Sequence, residues 1–315
     1  MNGGYFCMSL DYEMSWGILE QNNLRDYQLS NISNCDFVIE HILDLFDKYA
    51  MRSTWGIVGA LTLNNESEFL SVSNIANISY DNVGLSPYLH KILDEKYYFS
   101  HNTLDKIKSY QGQEIASHTF AHFYCKERGQ LQKEFEIDLA LFEDVIGFKV
   151  DSIIFPRNQV NTSYLMSCKN VGIHCYRGVI DKFSVSSKYV LKVLNYLDCF
   201  INIRSFNTYS IDSIIRGKQE YGMLDIKGSR FLRPVFRSKI LMYLHMRRIK
   251  SEMTHAAKNG EIYHLWWHPH NFGSEPEVAL SFLEEIILHF KVLQDEYQFQ
   301  SVSMNDFIDL VEKSS

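Results

Sequence analysis

The sequence has no close pair of cysteines. Its six cysteines, Cys7, Cys35, Cys125, Cys168, Cys175 and Cys199, are scattered through apolar segments, and no CxxC occurs. Metal-binding and redox cysteines come in close pairs. A zinc ribbon or dithiol centre is therefore not expected, and reduced, buried thiols are. The chain also lacks a surplus of positive charge, with a net charge of −7. Nucleic-acid binders show a basic face, so nucleic acid is set aside as a partner. No apolar run is long enough to cross a bilayer, so no transmembrane segment is expected. The start, Met1-Asn2-Gly3-Gly4, has neither a charged region nor an apolar core of signal-peptide type. A cytoplasmic protein is the expectation. No glycine-rich phosphate loop follows a strand-like run, since Gly3-Gly4 precedes one. Repeats and low-complexity tracts are missing too.

What is present is a 315-residue chain with 46% hydrophobic residues, enough for a large buried core. Strand-like runs alternate with helical stretches. Tyr5–Leu10 is a short apolar run, Cys35–Met51 an amphipathic helix with Asn34 as its expected N-cap, and Ser53–Leu61 a second strand. Asn64–Tyr110 is less regular, with a short helix expected at Pro87–Lys96. A strand at Glu114–Ser117 precedes a helix at Gln130–Ile146. Asp151–Phe155 is a strand, Ser163–Asn170 a helix and His174–Tyr176 a strand. Lys188–Ile215 has no clear period. Arg237–Asn259 is a basic amphipathic helix, Glu261–Trp267 a strand, Glu277–Leu293 a helix and Phe299–Met304 a last strand. Such alternation predicts an α/β fold with a mostly parallel sheet and helices outside.

Four short segments hold the ionisable groups a metal-dependent hydrolase needs, each after a strand-like run. They are Asp11-Tyr12-Glu13, Ser117 to His122, Phe155-Pro156-Arg157-Asn158 and Trp267-His268-Pro269-His270. Parallel α/β folds place their chemistry at the carboxyl ends of strands. His118 and His122 are spaced so that a helical turn would bring both imidazoles together. The spacing alone is weak. With 12 histidines, about half a His-x-x-x-His pair is expected by chance, and His264 and His268 form another. Asp11 and Glu13 would share one face of an extended strand. Two carboxylates on one face repel unless a divalent cation divides their roles, one ligating and one free as a base. Solvated acids at a strand end are the plain alternative. One carboxylate and two histidines make a three-ligand site with an open position, the form of catalytic zinc sites. His268 is a candidate general acid, or a core or metal-linked histidine. Arg157 is a candidate partner for the base, or a surface cation.

The order of these segments resembles the polysaccharide deacetylase family (the NodB-like carbohydrate esterases). His118-Thr119-Phe120-Ala121-His122 matches that family's His-Ser/Thr-x-x-His segment in full. Leu10-Asp11-Tyr12-Glu13 looks like its acidic first segment, spaced as Asp-x-Glu where Asp-Asp is usual. Phe155-Pro156-Arg157-Asn158 is similar to its third, reading Pro-Arg-Asn-Gln where the family usually has Arg-Pro-Pro-Tyr. Leu265-Trp266-Trp267-His268 looks like its last. The resemblance implies an irregular (β/α)7-type barrel, one catalytic domain over residues 1–315. It implies Asp11 as base, with Glu13, His118 and His122 as metal ligands. His268 would be the acid, and Arg157 would orient Asp11.

The implied activity is removal of an N-acetyl, O-acetyl or N-formyl group from a carbohydrate, with zinc first among the divalent metals. A nucleotide- or lipid-linked precursor of surface polysaccharide would suit a protein without an export signal. Trp16, Trp267 and Phe272 lie beside the segments and are candidate sugar-stacking rings. Asn158 is a candidate substrate contact, and Arg230 and Arg233 are candidates for holding a phosphate or uronate. Arg247, Arg248 and Lys250 could form an anion or membrane-surface patch, or a solvated helix face. Two other functions compete: a metal-free carbohydrate-binding protein on this scaffold, and a metal-dependent hydrolase of a non-sugar amide. The sequence leaves the oligomeric state open.

Overall fold

The computed structural model describes residues 3–18, 26–75, 94–126, 132–180, 187–203 and 205–313. Its centre is β1 (Tyr5–Tyr12), buried at every position. In sequence order follow β2 (Ser53–Ile57), β3 (Gln113–Ser117), β4 (Ser152–Ile153), β5 (Cys175–Tyr176), β6 (Leu224–Asp225), β7 (Arg230–Phe231), β8 (Ile262–Trp267) and β9 (Gln300–Val302). All neighbouring strands are parallel. Their order is β6-β5-β4-β3-β2-β1-β8-β7, with β9 added against the start of β1.

The two ends of this sheet belong to one stretch of chain. β6 pairs with β5 and β7 with β8. Between them Ile226 N–H donates to Tyr176, Gly228 N–H to Gly178 and Ser229 N–H to His264. Residues 224–231 thus act as one bent strand that closes the sheet. With it the barrel has seven members, the irregular (β/α)7 form. No strand is expected here from the sequence, because two short ladders separated by Ile226, Lys227, Gly228 and Ser229 carry no apolar period.

Alternation along the strands separates two cores. Tyr5 and Cys7 of β1 pack inside the barrel with Ile154, Cys175, Leu224 and Ile226. Phe6, Met8, Leu10 and Tyr12 pack outward, against the helix layer. The helices Cys35–Lys48, Gln132–Ile146, Lys239–Asn259 and Pro276–Tyr297 bury apolar stripes there. The helix Lys239–Asn259 stops where expected, at Gly260, which takes the left-handed conformation (φ 66°) that glycine adopts without a Cβ clash.

Several expectations are corrected. Asn34 does not cap its helix with its side chain; its amide donates to the Gly273 carbonyl at 2.7 Å. Lys188–Ile215 resolves into the helix Lys188–Leu197 and the start of the helix Ile211–Tyr221. Helices at Glu66–Ile75 and His101–Ser109 occupy part of the stretch read as irregular. The helix expected at Pro87–Lys96 falls largely outside the described residues. Among the described residues no helix is long and apolar enough to cross a membrane, and all six cysteines are buried and unpaired.

Candidate metal centre and its cleft

In-register parallel strands bring the carboxyl ends of β1, β3, β4, β5 and β8 to one rim. Asp11 lies opposite Gly56 and Ser117 opposite Ile57 and Ile153. Asp11 and Glu13 are two residues apart and point to the same side, both reaching the His268 ring: Nε2 is 3.7 Å from Asp11 Oδ2 and 3.4 Å from Glu13 Oε1.

His118 and His122 do converge, with ring centroids 5.1 Å apart, but from a loop and not a helical turn. Thr119 (φ 63°) and His122 (φ 56°) occupy the left-handed region, which costs a non-glycine residue roughly 1 kcal/mol or more. Side chains offset that strain. Asp138, fully buried on the helix Gln132–Ile146, accepts from Phe120 N–H at 2.7 Å and Ala121 N–H at 3.2 Å. Thr119 Oγ1 accepts from Phe123 N–H at 2.7 Å. Sequence reasoning missed Asp138, whose signal was an acid between Phe135 and Phe142 on an apolar helix face.

Glu13 Oε2 lies 3.3 Å from His118 Nε2 and 3.0 Å from His122 Nε2. These three donors lie within 4.8 Å of one another and all three residues are buried. Nδ1 of His118 donates to the Ile154 carbonyl at 2.7 Å. In the neutral ring this leaves a bare lone pair on Nε2, aimed at a carboxylate oxygen. Two lone-pair bearers at that distance repel unless a cation or a proton lies between them. Ligand atoms of a tetrahedral centre with bonds of about 2.0–2.1 Å sit about 3.3 Å apart, so the residues present fit a divalent metal. The carbonyl partner on the far nitrogen is also the usual support of a ligating histidine.

Burial pushes the Glu13 carboxyl up, but His268, His118 and His122 together outweigh it and hold it well below the ordinary range. Burial likewise opposes ionisation of Asp11, and the charge and hydrogen bonds of Arg177 overcome it, so its pKa falls below the ordinary value. The guanidinium of Arg177 grips Asp11 with both ends, Nη1 at 2.5 Å from Oδ1 and Nη2 at 2.7 Å from Oδ2. It is steadied by Asn158 Oδ1 at 3.0 Å and lies over the Trp266 ring at 4.4 Å.

The pairing expected of Arg157 is therefore made by Arg177. Arg157 is exposed, in the left-handed region (φ 56°), with its guanidinium 4.0 Å over the Tyr124 ring. The signal for Arg177 is that it directly follows the strand expected at His174–Tyr176, as Arg157 follows the strand before it. The aromatic assignments shift as well. Trp16 is fully buried, its Nε1–H donating to the Tyr98 carbonyl at 2.8 Å. Trp267 and Phe272 are fully buried and stacked on each other. None of the three can meet a sugar. His264 and Trp266 of β8 share a face with His268 just after it, so the available ring is Trp266, with Phe231 packed on it. Arg230 is also taken, buried between Glu252 and Asp198. Arg233 stays at the site, half-buried between Tyr196 and Phe231.

A cleft of about 490 Å³ opens over Asp11, Glu13, His122 and His268, walled by Asn158, Phe231, Arg233 and Trp266. A second, of about 290 Å³, shares Arg157, Asn158, Phe231, Arg233 and Trp266 and runs on towards Asn195, Asn207 and Ser229.

No family model and no curated protein matches the sequence. Solved structures do match the fold. A Mycobacterium smegmatis protein described as a polysaccharide deacetylase aligns over 99% of this chain and 92% of its own, with 13% identity and a TM-score of 0.52. A Pseudomonas aeruginosa protein described in the same way covers 96% of this chain and 89% of its own, at 10% identity and a TM-score of 0.50. A GH57-type branching enzyme from Pyrococcus horikoshii covers 97% of this chain and 70% of its own, at 11% identity and the same TM-score of 0.50. The chain thus has the fold of polysaccharide deacetylases. A branching enzyme at the same level of likeness shows that the fold does not select the reaction, so the chemistry rests on the site.

Proposed function

We propose that this chain is a divalent-metal-dependent hydrolase, acting as one catalytic domain, that removes an N-acetyl group from a carbohydrate. The observation that carries this reading is the split between the two carboxylates. Glu13 faces two imidazole nitrogens, while Asp11 is held apart and ionised by Arg177. That supports Glu13, His118 and His122 as the residues that hold the metal, with zinc the first choice for a His₂-carboxylate set. When bound, the ion would acidify a water and polarise the acyl carbonyl.

The chain's own groups complete the reaction. Asp11 accepts a proton from the attacking water as the water oxygen bonds to the acyl carbon. His268, partly open to the cleft with Nε2 towards both carboxylates, donates a proton to the amine nitrogen as the carbon–nitrogen bond breaks. Arg177 and Asn158 fix the base, and Asn271 lies 3.3 Å from His268 Nδ1. The sugar ring would lie against Trp266 and Phe231, with Arg233 beside it. A soluble or lipid-linked precursor of surface polysaccharide, met on the cytoplasmic side, is the substrate class that fits.

The test is metal content followed by acetate release. Purified protein should take up close to one equivalent of zinc or cobalt and release acetate from N-acetylated oligosaccharides. Uptake below about a tenth of an equivalent after metal addition rejects the enzyme reading.

A further inference from the structure

Of the fifteen large apolar side chains exposed among the described residues, nine lie between Tyr189 and Tyr243. Single exposed apolar residues are ordinary, but a cluster is not. The helix Lys188–Leu197 has no buried residue among those described, although its sequence is amphipathic. Val190, Val193 and Leu197 form a stripe along it at helical spacing, all exposed, and Tyr189 is 76% exposed. On the helix Lys239–Asn259, Ile240 (73%) and Tyr243 (64%) are exposed as well. The turn after the first helix is joined to the second where His245 Nδ1–H donates to the Cys199 carbonyl at 3.0 Å and the Phe200 ring packs on His245.

The charge around this patch is one-sided. Residues 226–251 carry eight Lys or Arg and no Asp or Glu, and residues 182–197 carry three Lys and no acid, in a chain of net charge −7. Four of those cations are neutralised: Arg230 and Arg248 by Glu252, Arg237 by Glu275 and Lys250 by Glu285. Lys192, Lys239 and Arg247 are exposed and make no ion pair among the described residues. Tyrosines and aliphatic side chains flanked by unpaired cations match a headgroup layer with negative charge, the chemistry of interfacial helices.

We propose that the outer faces of the helices Lys188–Leu197 and Lys239–Asn259 dock this protein on the surface of a bilayer that contains anionic lipid. Asn195, Asp198 and Cys199, at the end of the first helix, line the cleft that adjoins the metal centre. Docking would set that cleft at headgroup level, where a glycan carried on a lipid is presented. The docking surface stands on its own observations; its link to a lipid-borne glycan rests on the hydrolase reading above.

The experiment is co-sedimentation of the full chain with vesicles of phosphatidylcholine alone and with about 30% phosphatidylglycerol added. We expect at least roughly tenfold stronger binding to the anionic vesicles, weakened by salt. Val193→Glu and Tyr243→Glu, both at exposed positions, should each lower it severalfold while the far-ultraviolet spectrum and acetate release from a soluble oligosaccharide stay unchanged. Absence of binding, equal binding to both vesicles, or binding that neither substitution weakens overturns the proposal. So does a concentration-dependent dimer that Val193→Glu abolishes without any vesicle binding, which would give the patch to a second copy. Vesicle binding without acetate release on any substrate would reject the hydrolase reading and leave the docking surface standing.

Discussion

The position of the Glu13 carboxylate depends on a residue that carries no side chain. A Cβ placed on Gly17 would lie 2.1 Å from Glu13 Oε1 and 2.3 Å from its carboxyl carbon. The atoms in the way are the free end of a side chain, so Gly17→Ala should spare the fold and move the ligand. Zinc affinity should fall by at least roughly tenfold, the scale of a disturbed metal shell, while the melting temperature of the metal-free protein changes little. Titration calorimetry that finds wild-type affinity would show that Glu13 does not ligate. The partner experiment separates the carboxylates. Asp11→Asn should keep the metal and lose most turnover, on the order of a hundredfold or more for a general base, whereas His118→Ala should lose the metal itself. If Asp11→Asn abolishes metal binding instead, the two roles are exchanged. The residues of the centre were legible in the sequence because parallel strands bring their carboxyl ends to one rim, so order along the chain stands in for proximity. Trp267 was chosen over Trp266 because adjacency was used where alternation decides: His268 and Trp266 share a face, and Trp267 belongs to the other. Arg177 was less legible: its strand is expected at His174–Tyr176, but two arginines, Arg157 and Arg177, each follow a strand, and only the fold shows which one reaches Asp11.

At the scale of elements, the segment from Asp198 to Phe200 is fastened to the helix Lys239–Asn259 by a buried polar cluster. His245 Nδ1–H donates to the Cys199 carbonyl, and its Nε2 accepts from Arg233 N–H at 3.1 Å. The ring must be neutral to do both. Burial, with the nearby charges of Arg230 and Arg233, lowers its pKa to about 4 from an ordinary 6.5, against a smaller opposing pull from the Cys199 carbonyl. The sign follows directly. Between pH 6.5 and 4 the unfolded chain binds a proton that the folded one refuses, so stability falls as pH falls through that window. At pH 5 the deficit from this group is about 2 kcal/mol. Urea unfolding at pH 7 and pH 5 should show His245→Gln losing about that much less than the wild type between the two conditions. Equal losses would place the acid sensitivity elsewhere. This cluster was beyond sequence reasoning for the same reason as the bent strand at residues 224–231. A bent strand broken by Lys227 and Gly228, and a helix that buries no stripe, leave no period to read. The long elements, with strong apolar faces, were read to within a few residues at most ends.

Over the whole molecule, the three proposed ligands come from parts of the chain far apart in sequence. Glu13 follows the central strand β1, and His118 and His122 follow β3, with β2 between them in the sheet. A metal at this point would link the two loops across the rim. The unfolded chain has no such constellation, so bound metal stabilises the folded state by mass action. At a free zinc concentration a hundred times its dissociation constant the gain is about 2.7 kcal/mol. For 315 residues the entropy of unfolding is roughly 0.7 kcal/mol per degree, which makes the expected rise in melting temperature about 4 °C. Chelation should reverse it. His118→Ala and His122→Ala should melt at the same temperature with and without zinc. Asp11→Asn, which leaves the ligands intact, should keep the full rise. Because the shift is read without substrate, it tests the metal centre even if the acyl group or sugar has been misjudged. A wild-type protein whose melting temperature ignores zinc, cobalt and chelator alike would remove the metal from the site and leave Glu13 and the two histidines as a buried hydrogen-bonded cluster.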